Sequence, residues 1–214
     1  FKNVRPILAC GSDLKNTFCI AQNGYAYLSQ YGGDLEEEEA FRKFRENIKR
    51  FERIFKIKPE KICCDLHPGY YSSKYAKKYG IEVLEVQHHH AHILSVMAEN
   101  CLYKPVIGVA FDGTGYGTDG AMWGGEFLVV SPEGFKRAGH LKYVPMLGGD
   151  SGVKEVFKTG YSYLYDSGLD IHIRDEKWPL MKAALANNIN TVMSSSMGRL
   201  FDAVSFIAGI KSYS

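Results

Sequence analysis

The 214-residue chain lacks any apolar run approaching the roughly 20 residues needed to cross a bilayer as a helix, so no membrane-spanning segment is expected. It also has little net charge. Lys and Arg number 26 against 24 Asp and Glu, and an excess of +2 is too small to argue for a nucleic-acid partner. Cysteine is sparse and odd in number: five, with Cys63 and Cys64 adjacent. That pattern argues against a disulfide framework and for a reducing, cytoplasmic compartment. Cys10, Cys19, Cys63 and Cys64 fall in apolar strand-like runs, where cysteine acts as a small buried hydrophobe. A secretory leader pattern is missing from the opening Phe1-Lys2-Asn3-Val4-Arg5, and no internal repeat or low-complexity tract is visible.

What the chain does have is glycine, tyrosine and punctuated apolar runs: 22 Gly and 14 Tyr suit a β-containing fold. Ile7 to Cys10 and Thr17 to Ala21 read as strands, and Asn23-Gly24 is a hairpin signal leading to a third strand, Tyr25 to Ser29. Gly32-Gly33-Asp34 breaks this meander, with Asp34 placed to cap a helix over Leu35 to Lys56. The helix has Glu36 to Glu39 in its first turn and bases later, which complements its dipole. Phe41, Phe44, Ile48, Phe51 and Phe55 mark its buried stripe.

Pro59 ends that unit, and strand and helix then alternate. Lys61 to Asp65 is a strand, Ser72 to Tyr79 a helix, Glu82 to Val86 a strand. A helix from the following histidines to about Asn100 precedes the strand Pro105 to Phe111. This order predicts parallel pairing with helices on the faces, and ligands in such sheets bind beyond the carboxyl ends of the strands. Met122 to Val130 and Phe135 to Tyr143 add an antiparallel pair. Leu147 to Asp150 reads as a loop. Helices are predicted over Val153 to Ser167, Trp178 to Asn187 and Gly198 to Ala208, with Asn190 to Ser196 as a linking loop. The fold class is α/β: a ribonuclease-H-like fold of the actin and sugar-kinase superfamily, with a mixed sheet and flanking helices. Residues 1–145 form its first lobe and 146–214 the mostly helical start of a second.

Four histidines crowd Gln87-His88-His89-His90-Ala91-His92. His88 and His92 are one helical turn apart on the same face, a spacing that converges two imidazoles on one cation. His89 and His90 point elsewhere on the helix, as supporting groups or substrate contacts. Asp112 ends the adjacent strand and is the natural third ligand. Two imidazoles and a carboxylate suit Fe, Mn or Zn. Asp112 also opens a glycine-rich turn, Gly113-Thr114-Gly115-Tyr116-Gly117-Thr118-Asp119-Gly120, whose backbone N–H groups and hydroxyls can approach phosphate. It is not a Walker A loop, because no Gly-Lys-Ser/Thr follows. Asp119 reads as solvated turn chemistry, and Trp123 as core or as a ligand cover. Lys15 lies at a hairpin tip that faces the phosphates in an ATP-using fold of this kind. Ser194 to Ala203 looks like a helix N-terminus, with Gly198 in its first turn and Asp202 placed to reach a ribose hydroxyl pair.

The motifs Val86 to His92, Phe111 to Gly117, Trp123 to Leu128 and Ser196 to Ala203 resemble those of the HypF family, the carbamoyltransferases of NiFe-hydrogenase maturation. Leu14 to Phe18 and Asp65 to Pro68 match as well. The resemblance runs over essentially the whole chain in the family's order. It implies the C-terminal carbamoyltransferase domain, with an acylphosphatase-like segment, Cys-x-x-Cys zinc motifs and a YrdC-like segment expected before it and more of the second lobe after it. The chain is thus expected to be shortened at both ends relative to the full family architecture. By the same likeness a YrdC-like domain makes carbamoyl adenylate from ATP and carbamoyl phosphate. This domain passes the carbamoyl group to the C-terminal cysteine of a HypE-like partner. His88, His92 and Asp112 would hold a divalent metal. Gly113, Thr114, Gly115, Gly198 and Asp202, with Asp112, would contact the nucleotide, and Lys15, His89 and His90 would serve catalysis. Other readings are a relative that carbamoylates a small hydroxyl or a tRNA adenosine, and a degenerate module that binds metal, nucleotide and partner without turnover.

Overall fold

Short apolar runs separated by turn residues build the first sheet. The structure, a computed structural model, describes residues 4–148, 155–169 and 175–210. Strands β1 (Ile7–Ala9), β2 (Cys19–Gln22) and β3 (Tyr25–Leu28) form an antiparallel meander. At its tip Asn23 and Gly24 both take left-handed φ, 51° and 86°, the conformation a two-residue hairpin turn requires. Helix α1 (Glu38–Phe55), β4 (Lys61–Asp65), α2 (Tyr71–Lys78) and β5 (Glu82–Val86) follow. The strand order is β3-β2-β1-β4-β5, with β4 parallel to both β1 and β5. This is the ribonuclease-H-like arrangement the sequence predicts.

Helix α1 closes over this sheet because its apolar residues recur on one face. Phe44 and Ile48 are buried beside Leu8, Phe18, Leu35 and Ile62, each large side chain contributing about 1.5–3 kcal/mol by leaving water. Phe41 and Phe51 pack at the margin, and the Phe55 ring stacks on Tyr27 at 3.8 Å. Asp34 does not cap this helix. A turn intervenes, Glu37 is the N-cap, and Asp34 instead accepts the backbone N–H of Lys15 at 2.7 Å. The loop it steadies needs that help, since Lys15 has φ 50°, a left-handed value uncommon outside glycine.

Helix α2 has no cap of its own. Asp13 supplies one from 58 residues upstream. Its buried carboxylate accepts the N–H groups of Tyr71 and Ser72 at 2.6 and 2.9 Å and the Ser72 hydroxyl at 2.8 Å. A negative charge there meets the positive end of the helix dipole. All five cysteines are free thiols. Of the four expected to be buried, Cys10 and Cys64 are core residues and Cys19 and Cys63 are half-buried, and burial pushes all four thiols up, away from reactivity.

The chain divides into two compact units, Phe1–His88 and His89–Ser214. Helix α3 (His88–Glu99) starts at this junction, and residue 145, where the sequence places a lobe boundary, lies inside the second unit. That unit opens with its own antiparallel meander: β6 (Val106–Tyr116), β7 (Met122–Ser131) and β8 (Gly134–His140). Ile93 and Met97 of α3 pack with Ala110, Leu128 and Val130 of this sheet. The topology therefore restarts although the sequence does not repeat.

Two local expectations are corrected here. The glycine-rich stretch is not wholly a loop, because Asp112 to Tyr116 continue β6, with a register shift between Phe111 and Gly115. Pairing with β7 resumes at Gly115 and Tyr116, and the turn proper is confined to Gly117 to Ala121. The expected linking loop over residues 190–196 contains a strand, β10 (Thr191–Ser194), which pairs antiparallel with β9 (Val144–Leu147) and parallel with the start of β7. Tertiary pairing overrides a local sequence with weak strand character. Helices α4 (Val156–Asp166), α5 (Trp178–Ala186) and α6 (Met197–Ile207) complete the unit. Residues 149–150 and 153–154, part of the predicted loop and helix, lie outside the described residues.

Candidate metal centre and its neighbours

Helix α3 has two faces made of histidine. His89 continues as Ile93 and Met97 at four-residue spacing, and these three are the buried residues of the helix. His88 and His92 occupy the adjoining face, one turn apart. Ligand atoms of His88, His92 and Asp112 all lie within 4.8 Å of one another. The His92 Nε2 to Asp112 Oδ2 distance is 3.5 Å. Two ligands bound tetrahedrally at ~2.0–2.2 Å from one ion sit about 3.4 Å apart, so this spacing fits a shared cation. The same Asp112 oxygen is 3.7 Å from Nε2 of fully buried His89. The donor set, two imidazoles and one carboxylate, is suited to a divalent transition metal.

Asp65 orients the first candidate ligand. It ends β4 and is nearly buried. Its Oδ2 holds His88 Nδ1 at 2.8 Å, while Oδ1 accepts the His67 backbone N–H at 2.9 Å. With Nδ1 engaged by a carboxylate, Nε2 is the atom His88 has for a metal, and the imidazole becomes more electron-rich. Sequence reasoning put Asp65 at the right sheet edge but gave it no role. His90 lies on a different face, with its ring 4.8 Å from Phe135, and burial pulls its pKa down, favouring the neutral ring.

Of the residues expected to contact a nucleotide, Asp112, Gly113 and Gly198 are brought together. Ser196 caps α6 by accepting the Arg199 N–H at 3.1 Å. Its hydroxyl also lies 3.1 and 2.7 Å from the carbonyl oxygens of Asp112 and Gly113. Gly198 then rests directly on β6, where an added Cβ would be 2.7 Å from the Gly113 Cα. No other residue fits that approach without displacing backbone. Asp202, one turn along, pairs with Arg199 at 2.9 Å. The positive end of α6 thus borders the irregular backbone at Asp112 and Gly113, a combination suited to an anion. Thr114 follows within the register shift, and Gly115 ends it by pairing with Trp123. Lys15 belongs to the first unit, exposed in the loop between β1 and β2.

Beneath this region runs a polar network that the sequence reading missed. Glu126 is fully buried. It accepts Arg137 Nε at 2.6 Å and the Ser195 hydroxyl at 2.5 Å. Arg137 also donates to the Tyr143 hydroxyl at 2.6 Å and to Asp119 at 3.3 Å, and lies 3.9 Å over the Trp123 ring. Asp119 does lie in the turn, with its side chain 43% exposed, but it is also a fixed acceptor: it takes Trp123 Nε1 at 2.8 Å and Tyr143 Oη at 2.5 Å. Burial pushes the Glu126 and Asp119 carboxyls up, but their hydrogen bonds and the Arg137 charge outweigh it and hold both below the ordinary range. Trp123 itself is core, 2% exposed. The network ties the β6–β7 turn to Ser195, next to the α6 cap.

Comparison with known proteins places this geometry. Residues 2–99 match the family model described as the HypF Kae1-like domain, and residues 108–214 match that of the carbamoyltransferase Kae1-like domain, second subdomain. Carbamoyltransferase HypF of Rhizobium leguminosarum bv. viciae is 39% identical over 211 residues, covering 96% of this chain and 28% of that protein. Carbamoyltransferase HypF2 of Cupriavidus necator is 37% identical, with 96% and 26% covered. Among solved structures, full-length HypF in a phosphate- and nucleotide-bound form superposes with a TM-score of 0.94 at 40% identity, over 100% of this chain and 29% of that one. HypF of T. kodakarensis gives 0.85 at 34% identity, over 98% and 31%. The chain thus spans under a third of the length of these relatives. Both halves of the sequence match, and the likeness in structure covers the whole of it: the chain belongs to the HypF family, whose named members are carbamoyltransferases, and corresponds to the Kae1-like part of them.

Proposed function

We propose that this chain is the carbamoyl-transfer part of a HypF-like maturation protein, passing a carbamoyl group from carbamoyl adenylate to the C-terminal cysteine of a HypE-like acceptor. One observation carries the reading: His88, His92 and Asp112 converge within 4.8 Å, and Asp112 is continuous with the backbone on which the N-terminus of α6 rests. A metal ligand and an anion-receptive helix end therefore share one residue. The adenylate is an acyl phosphate anhydride, which calls for such a pairing.

In this scheme His88, His92 and Asp112 hold a divalent Fe, Zn or Mn ion. Such an ion supplies Lewis acidity, polarising a carbonyl or phosphoryl oxygen. Asp65 fixes the His88 ring. The backbone from Gly113 to Gly115, with Gly198 at the helix end, receives the phosphate, and Asp202 receives the ribose. The thiolate sulfur of the acceptor attacks the carbamoyl carbon, the bond from that carbon to the phosphate oxygen breaks, and AMP leaves with the electron pair. His89 lies beside Asp112 and His90 on the hairpin side of the helix. Together with Lys15 they are the candidates for stabilising charge or moving the thiol proton. In this scheme the adenylate comes from a YrdC-like domain or chain.

A transfer assay tests the proposal, with synthetic carbamoyl adenylate and a HypE-like protein offered to wild type and to His88→Ala/His92→Ala. Transfer by wild type and its loss in the double variant is the expected result. Transfer that survives both substitutions would remove the metal from the mechanism. Absence of transfer in wild type, with metal and nucleotide still bound, would favour a module that binds without turnover. Transfer to a hydroxyl compound or a tRNA instead would favour the other carbamoyl-transferring relatives.

A further inference from the structure

Helices α1 and α2 enclose an open groove of about 670 Å³ on the first unit. Its walls are basic. Arg42, Arg45 and Lys49 descend α1 at three- and four-residue spacing, and Lys74 and Lys78 stand one turn apart on α2. Glu46 is the single acidic residue lining it, and it is paired with Arg42 at 3.1 Å. Arg45, Lys49, Lys74 and Lys78 make no ion pair among the described residues, so four uncompensated cations converge in a chain whose whole net charge is +2. The floor is aromatic, formed by Phe41, Tyr71 and Tyr75. Lys74 lies 5.2 Å over the Tyr71 ring and Arg45 5.1 Å over Phe41, so the rings hold two of the cations in place while 42% of Tyr71 stays exposed.

We infer that this groove is a docking site for a short acidic peptide segment, carrying an aromatic or apolar residue, on a partner protein. Charge complementarity sets the sign, because four clustered cations repel one another until an anionic segment neutralises them. The apolar floor asks for a side chain that can lie on it, which a bare phosphate or a run of carboxylates lacks. Length follows from the helix: Arg42 to Lys49 spans about 10 Å at 1.5 Å per residue, the reach of roughly three or four extended residues. The head of α1 closes the site to longer polyanions. Glu36, Glu37, Glu38 and Glu39 stand there in succession, so a nucleic-acid backbone that followed the α1 stripe would run onto four carboxylates. A short peptide stops before them.

The experiment is fluorescence anisotropy on the 214-residue chain, with three labelled probes: a short peptide of acidic residues around one phenylalanine, the same peptide with serine for phenylalanine, and a single-stranded oligouridine of similar charge. Saturable binding of the first probe is expected, weakened about tenfold by Lys49→Gln/Lys74→Gln and by raising salt from low to moderate ionic strength, and weakened several-fold by loss of its phenylalanine. Arg50→Gln and Lys104→Gln, which alter cations outside the groove, should bind as wild type does. Circular dichroism checks that each variant is folded, as expected for four side chains on the surface. Binding that is absent, or insensitive to Lys49→Gln/Lys74→Gln, overturns the inference. Preference for oligouridine over the phenylalanine peptide overturns it as well, in favour of a nucleic-acid surface.

Discussion

The Asp65 carboxylate and the His88 imidazole meet at 2.8 Å, Oδ2 to Nδ1, across 23 residues of sequence. The contact joins the end of one parallel strand to the first residue of the helix that follows the next. It fixes the ring of a candidate metal ligand before any metal arrives, which lowers the cost of ordering the site. Asp65 is itself held by the N–H of His67, so the pair is part of the loop architecture.

Asp65→Asn is expected to weaken metal binding by about 10–100-fold, with Asp65→Glu recovering part of it. Titration of the metal-free protein with Zn(II) or Co(II), followed by calorimetry or by the Co(II) absorption bands, reads this directly. An affinity equal to wild type in Asp65→Asn would remove the orienting role.

His92→Ala is expected to abolish stoichiometric metal binding while leaving the melting temperature of the metal-free protein within about 2 °C, because surface substitutions of this kind cost under ~0.5 kcal/mol. The His92 side chain is 57% exposed and contributes little to packing. Metal content after dialysis and a thermal melt answer the two halves separately. His89→Ala, by contrast, removes a fully buried ring and should cost about 2–4 kcal/mol.

Gly198→Ala should disturb the α6 contact, since its Cβ would lie 2.7 Å from the Gly113 Cα. Either backbone must move, at a cost of about 1–3 kcal/mol, and nucleotide affinity should fall with it. Ser196→Ala removes the cap and the clip to β6 and should cost about 1–2 kcal/mol. Denaturant midpoints with and without AMP distinguish lost stability from lost binding.

Glu126 and Asp119 give the second unit an acid-sensitive brace. Burial raises their carboxyls, but hydrogen bonding and the Arg137 charge prevail, so both are lowered in the folded state. Their contribution is fully present above the ordinary carboxylate pKa of about 4 and is lost as pH falls through the depressed folded values. Stability should therefore drop on acidification below about pH 4. Glu126→Gln should be less stable at neutral pH and fall less steeply below it. Arg137→Ala leaves a buried carboxylate without its partner and should cost about 3–5 kcal/mol. Urea midpoints measured from pH 3 to 7 test the sign.

Short-range patterns carried much of this structure into the sequence. Asn23-Gly24 specifies its own turn, the Phe44 and Ile48 stripe specifies the buried face of α1, and the spacing of His88 and His92 places both rings on one helical face. Each depends only on backbone geometry over a few residues, which the chain encodes wherever it folds. Glycines before and after Tyr116 read as a loop because they are permissive residues. Pairing with β7 made most of that stretch a strand, and pairing with β9 did the same for residues 191–194.

The contacts that finish the site span longer distances in the chain. Asp65 reaches His88 across 23 residues, Asp13 caps α2 across 58, Ser195 reaches Glu126 across 69 and Ser196 reaches Asp112 across 84. No residue type or spacing announces such partners, because strand order and helix packing bring them together. The sequence by itself determined most of the elements, the fold class and the histidine pair. Only the tertiary structure decided which carboxylate orients the pair, which buried charges are satisfied and which glycine has backbone against it.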